Sequence, residues 1–274
     1  MPQITDSLIE FPFTMLKGEP GLRKSTCALS YPKPQYWIST DKKMESLILP
    51  MKRWGIKNSE VEYDDYDNWA KPEGKLKQLQ TNCPFKTIIV DSLTSFGDSI
   101  NRQTKHTKKA EGGGKQVGGI NTNSIEDYNA EASAFQDLMF MLKDINKFHK
   151  VHVIVIAHVV GARKDDVNNK LTHHSRVIIT GGDKISGKIA SYCTEVYHFN
   201  VKSAFDEQAE GEYTCLTSHT GNDYARTALP LPKVITFNDR PLFNDWVAPA
   251  IKKLIAEKTV VNIPSEQSDQ PNNF

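Results

Sequence analysis

The sequence predicts an α/β chain with a mostly parallel central sheet, helices on both faces and antiparallel strands added near the C-terminus. Three observations carry this. Thr87–Val90 and Val151–Ala157 are continuous apolar runs, as strands buried on both faces require. Phe135, Leu138, Met139, Leu142, Ile145 and Phe148 repeat with the period of a helix between those runs. A glycine-containing loop at 18–26 separates a first apolar stretch from a helical start. Strands alternating with helices in this way build a parallel sheet.

Taken in order, Phe11–Leu16 reads as the first strand and Tyr36–Ser39 as the second. Met44, Leu47, Ile48 and Met51 follow at helical spacing as far as Trp54-Gly55. An acidic, tyrosine-containing stretch, Val61–Asp67, precedes a short helix marked by Leu76 and Leu79. The Thr87 run ends at Asp91 and leads into a helix. Arg102–Gly119 then carries five cations against Glu111 alone, with Gly112-Gly113-Gly114 and Gly118-Gly119, which predicts a mobile basic insertion over 102–124. Asn123-Ser124 before Glu126-Asp127 reads as the capped start of the long helix ending at His149. The Val151 strand ends at His158, and 159–184 carries no clear period. Ile185–Tyr192 reads as a short helix, and Glu195–Val201 and Tyr213–Thr217 as strands paired across Glu210-Gly211. Residues 1–258 are expected to form one domain. Thr259–Phe274, rich in Ser, Gln, Asn and Pro, is expected to be a disordered tail.

Composition sets the broad class. The chain has 274 residues, 38% hydrophobic and 24% charged, as expected of a globular protein with a sizeable core. A formal net charge of +1 names no partner. No apolar run approaches the roughly 18 residues that a membrane helix needs. Asp6 and Glu10 in the first ten residues do not fit a secretory leader, so the expected location is the cytoplasm. Cys27, Cys83, Cys193 and Cys215 form no close pair, which argues against a zinc knuckle or a disulfide framework. His149, His152, His173 and His174 lack the spacing and companions of a metal site.

The chemistry concentrates in Gly18-Glu19-Pro20-Gly21-Leu22-Arg23-Lys24-Ser25-Thr26. Glycines let backbone N–H groups turn around phosphates, Lys24 supplies a point charge to the β and γ oxygens, and the Ser25 hydroxyl can ligate Mg²⁺ at a helix N-terminus. The pattern departs from the usual one at Arg23, where glycine ordinarily precedes the lysine. Asp91 ends an apolar strand, where a carboxylate can hold Mg²⁺, although any buried strand can end in Asp. His158 is placed either to sense a γ-phosphate or as an ordinary strand-end histidine. Asp41, after the second strand, is either a water-polarising carboxylate or a solvated loop acid.

With the loop, the second strand, the Asp91 strand and the His158 strand in this order, the chain resembles the RecA-like P-loop ATPases. It looks most like the compact phage-encoded AAA-domain nucleotide-binding proteins, a group that includes recombination and single-strand-annealing factors. The matching stretches are Leu16–Thr26, Lys86–Ser95 and His152–Val159, with Gly187–Ala190, Glu195–Phe199 and Thr217–Arg226 resembling the group's final strands. The resemblance implies that the His158 strand lies between the loop strand and the Asp91 strand. It also implies that ATP and Mg²⁺ are bound by the loop and by Ser25 and Asp91, that Asp41 stands where relatives have a catalytic Glu, and that His158 is the sensor. Single-stranded DNA and further copies of the chain are the expected partners, with a finger in trans drawn from Arg163, Arg176, Lys184 or Lys188.

The expected function is therefore an ATPase of a phage or mobile element acting in DNA recombination, repair or replication. A nucleotide-dependent assembly module without turnover and a small-molecule P-loop kinase are the competing readings.

Overall fold

The computed structural model describes residues 10–110, 116–117, 120–121, 125–160, 163–164, 171–173, 176–177, 188–202, 211–220 and 223–261. Its centre is an eight-stranded sheet. The strands are β1 (Phe13–Gly18), β2 (Gln35–Ser39), β3 (Val61–Asp65), β4 (Thr87–Asp91), β5 (His152–Ala157), β6 (Glu195–Lys202), β7 (Glu212–Leu216) and β8 (Val234–Thr236). Their spatial order is β8-β7-β6-β1-β5-β4-β2-β3. The six from β6 to β3 are parallel, and β7 and β8 are antiparallel additions beside β6. The His158 strand does lie between the loop strand and the Asp91 strand, with Leu16 opposite Ile156 and Val90 opposite Val155.

Both sheet faces are covered, and the period of two along each strand sorts side chains between them. On one face Met15, Ile38, Ile88, Val90 and Val155 meet α3 (Ala70–Thr81), α4 (Leu93–Ala110) and α5 (Ile125–His149) through Leu76, Phe96, Phe135 and Leu142. On the other, Leu16, Trp37, Ile89, Ile156 and Phe199 meet α1 (Lys24–Leu29) through Cys27 and Leu29. That face also receives Phe237 from just beyond β8, Val247 from the π-helical segment Phe243–Val247 and Ile251 from α6 (Ala248–Val261). Cys27, Cys193 and Cys215 are buried free thiols, and Cys83 is a half-buried one.

Several elements differ from expectation. The acidic stretch forms β3, a parallel edge strand with Val61 half-buried and the next four residues exposed, so it has no inward apolar run to announce it. The basic stretch expected as a loop from Arg102 begins inside α4, which extends through Ala110. Beyond it Gln116–Val117 pairs with Ile120–Asn121, and the other residues of 111–124 lie outside the described ones. Helix α6 continues to Val261, past the expected boundary at Thr259, and 262–274 lies outside the described residues. Thr217–Thr220 and Asp223–Arg226 form no strand; Arg226 makes a single antiparallel bridge to Val196. No helix among the described residues is long and apolar enough to cross a membrane.

Candidate active site

Parallel sheets bind ligands beyond the C-terminal ends of their strands, and at that end the loop between β1 and α1 borders a cleft of about 350 Å³. Its walls include Pro20, Gly21, Leu22, Arg23, Lys24, Ser25 and Thr26, together with Asp41, Asp91 and His158. Residues separated by more than a hundred positions thus converge on one space.

The loop is fixed by two different requirements for glycine. A Cβ on Gly18 would lie 2.7 Å from the Phe199 carbonyl oxygen, so the close approach of β6 excludes a side chain there. Gly21 has open space around it but a φ of +82°, which glycine adopts without strain. Glu19 and Pro20 are exposed, Leu22 is buried in the core, and Thr26 lines the cleft.

Lys24 is buried and points back over the loop. Its Nζ donates to the carbonyl oxygens of Gly18 (2.9 Å) and Glu19 (2.7 Å) and lies 3.4 Å from His158 Nδ1. Burial lowers its pKa to about 8, against the opposing pull of Asp91, Asp41 and Glu19. It remains a cation at neutral pH.

Ser25 Oγ donates to Asp91 Oδ2 at 2.7 Å, so the two residues expected at the metal are in contact. Burial pushes the Asp91 carboxyl up to about 6; the Ser25 hydroxyl pulls it down, Asp41 pushes it further up, and Lys24 and His158 pull it down. One hydroxyl and one carboxylate are hard oxygen donors suited to Mg²⁺, but too few to hold a resident ion. No group of three His, Cys, Asp or Glu among the described residues could hold a metal. The pair therefore fits an ion that arrives with a nucleotide and takes its remaining ligands from phosphates and water.

Asp41 is positioned by the strand beside it. The N–H groups of Thr40 and Asp41 both donate to the Asp91 carbonyl, at 2.8 and 3.3 Å. The Asp41 carboxylate accepts from Ser92 Oγ at 2.9 Å and faces His158 Nε2 at 3.7 Å. Burial alone would raise its pKa; hydrogen bonds from His158, Ser95 and Ser92 overcome that and hold it at about 2. Two carboxylates in one cleft thus have pKa values pushed apart, and His158 lies between Lys24 and Asp41. The His158 backbone N–H donates to Thr94 Oγ1 at 3.2 Å.

Arg23 is the departure. Its backbone takes the left-handed conformation, φ +59° and ψ +23°, that glycine would adopt freely, at a cost of about 1 kcal/mol for a side-chain-bearing residue. Its guanidinium turns to the rim of the cleft, pairs with Asp239 and lies over the Tyr213 ring at 3.9 Å. Asp239 also accepts from Arg53, at 2.7 Å.

Sequence patterns do not single out Tyr213, Asp239, Ser92 or Thr94. Lys17 also goes unmarked by the loop pattern, yet a lone cation in an apolar strand is a readable signal. Lys17 is buried beside the loop, in register with His198, whose Nε2 is 3.6 Å from Asp223. Of the residues expected to supply a finger, Lys188 is exposed in a turn. Arg163 and Arg176 lie in two-residue strands, and Lys184 lies outside the described residues.

Comparison with known proteins bears on the whole arrangement. Among solved structures the chain is similar to one titled "Crystal structure of the RadB recombinase", at 15% identity and a TM-score of 0.44, over 84% of this chain and 89% of that one. No curated protein matches. Residues 13–229 match the family model described as AAA domain, a span that contains β1 to β7, the whole loop, Asp41, Asp91 and His158. With its strand order and phosphate loop, the fold is that of a RecA-like P-loop NTPase, and the chain belongs to the AAA-domain family.

Proposed function

We propose that this chain binds Mg²⁺-ATP in the cleft, hydrolyses it, and uses the cycle on DNA in recombination, repair or replication, in a phage or mobile-element setting. The observation that supports hydrolysis most is the convergence of Lys24, Ser25, Asp91, Asp41 and His158 on one cleft. Mg²⁺ bound with the nucleotide would supply charge to the β and γ oxygens. Lys24 would meet the same oxygens, and Ser25 and Asp91 would hold the ion's protein side. Asp41, with a pKa near 2, is a weak base, so its role is to orient the attacking water rather than to hold its proton early. That suffices for a loose phosphoryl-transfer transition state, which depends mainly on positioning and charge. His158 would link Lys24 at the γ-phosphate to Asp41 at the water.

Arg23, the reason to consider a module without turnover, is held at the rim by Asp239 and Tyr213. A second reading, phosphoryl transfer to a small acceptor, rests on a polar hollow of about 310 Å³ that shares Asp41 and Lys43 with the cleft. Steady-state phosphate release separates the three. Release that rises with single-stranded DNA supports the first reading; binding without release supports the module; ATP consumption that requires a small acceptor supports the kinase.

The DNA part of the proposal rests on the basic segment after β4 and on the resemblance, as does the expectation that further copies complete the site in trans. Neutralising Lys105, Lys108, Lys109 and Lys115 together is expected to weaken single-stranded DNA binding and flatten its salt dependence, by about 0.7 in slope for each phosphate no longer neutralised. Unchanged affinity and slope would remove that segment as a DNA-binding element.

A further inference from the structure

The phosphate loop contains a residue whose backbone conformation favours glycine, and its side chain is held by residues distant in sequence. Arg23 has φ +59° at the N-terminus of α1, one residue before Lys24. Its guanidinium is engaged on two sides by the antiparallel extension: the face by the Tyr213 ring of β7, the edge by the Asp239 carboxylate just beyond β8.

That part of the extension is itself well braced. Phe237 N–H donates to the Tyr213 carbonyl at 3.0 Å, and Tyr213 N–H donates to Asn238 Oδ1 at 2.8 Å. Arg240 N–H closes the turn on the Phe237 carbonyl at 2.7 Å, and its side chain pairs with Asp245 instead of Asp239. Asp239 also takes Arg53 from α2 (Ile48–Trp54), so one carboxylate ties the loop to the helix that follows the cleft wall at Met44 and Ser46.

We infer that Tyr213 and Asp239 are positioning residues for the nucleotide: by holding Arg23 they keep the phosphate loop, and with it Lys24 and Ser25, in the phosphate-binding conformation. Neither residue touches the phosphates. In this chain the work that a glycine does through its own backbone freedom is done by a side-chain clamp from a strand about 190 residues away in sequence. The inference rests on the nucleotide-binding reading for its consequence, but the clamp itself is a property of the ligand-free chain.

The test is a double-mutant cycle on the full chain, read by MgADP calorimetry and by hydrogen exchange of the Gly21–Ser25 amides without nucleotide. In the Arg23 chain, Asp239→Asn and Tyr213→Leu are each expected to weaken MgADP binding about three- to tenfold and to speed exchange in the loop, whereas Tyr213→Phe, which keeps the ring, is expected to do neither. In the Arg23→Gly chain the same substitutions are expected to change nothing, because glycine holds φ +59° unaided. Equal losses in both backgrounds, no loss in the Arg23 chain, or abolition of binding by Arg23→Gly alone would overturn the inference. If the wild-type chain does not bind MgADP, the nucleotide reading fails. The exchange data then decide the clamp separately: it stands if Asp239→Asn loosens the loop only in the Arg23 chain, and falls otherwise.

Discussion

The inner end of the cleft and its rim are built by different means. At the inner end, Asp41, Asp91 and His158 are each delivered by the end of a central strand or the turn beyond it, Lys24 and Ser25 by the first turn of α1, and their partners are mostly one another. At the rim, Arg23 contacts Tyr213 of β7 and Asp239 just beyond β8, both outside the parallel core and close to it in space only after the sheet has formed. The inner end is buried at Lys24 and half-buried elsewhere, and its carboxyl pKa values are displaced in opposite directions; the rim is more exposed and held by one ion-pair cluster and one ring contact. The residues proposed for chemistry therefore lie along the central strands, and the contacts proposed to hold the loop lie at the sheet's antiparallel margin.

If this division is right, substitutions at the inner end should change turnover and those nearer the loop backbone should change stability. The largest effect is expected for Asp41→Asn: turnover of MgATP falls about a hundredfold while MgADP affinity stays within about twofold, since the amide cannot orient the water as the carboxylate does. Parallel losses in turnover and MgADP affinity would place Asp41 in nucleotide binding instead.

Gly18→Ala should lower stability by about 2 kcal/mol, because its Cβ would press on the Phe199 carbonyl. Gly21→Ala, with open space around it, should cost only about 1 kcal/mol from its positive φ. Thermal unfolding of the two variants checks the order, and a reversal would mean that backbone strain outweighs the approach of β6.

A smaller effect separates the metal pair from its surroundings. With Asp91 raised to about 6 against an ordinary value of 3.8, the folded chain holds this proton more tightly than the unfolded chain does. The ligand-free fold should thus lose stability as pH rises from about 4 to about 6, whereas Mg²⁺-dependent nucleotide binding should strengthen as the carboxylate ionises. MgADP affinity is expected to be about tenfold weaker at pH 5 than at pH 7, and the Mg²⁺-dependent part of this change to vanish in Asp91→Asn. A flat profile in the wild-type chain would exclude Asp91 from the ion.

Much of the inner end is legible in the sequence because its signals are local. A loop pattern, a strand ending in Asp91 and another ending in His158 can each be read within about ten residues, and the apolar runs of β4 and β5 fix which residues arrive at the sheet's C-terminal edge. Asp41 can be named but not decided, since only its neighbours Ser92 and His158 distinguish it from a solvated acid. The rim is not legible. Arg23 is visible as an exception to the loop pattern, yet nothing near it in sequence says where its side chain goes. Strand β3 escapes because its side chains past Val61 are exposed, and β8 because three residues, Val234–Thr236, carry no period. The start of the basic segment misleads because its charge suggests a loop, whereas residues 102–110 continue the amphipathic helix α4.

The assignment of the cleft stands or falls on Lys24 as the cation for the nucleotide's phosphates. Calorimetric titration of MgADP into the wild-type chain and into Lys24→Ala is the most direct test, with the thermal midpoint of each chain confirming that both are folded. The expected result is saturable binding by the wild-type chain and affinity about 10- to 100-fold weaker in the variant, the size of one charge-assisted hydrogen bond. Equal affinities in the two folded chains would contradict that assignment.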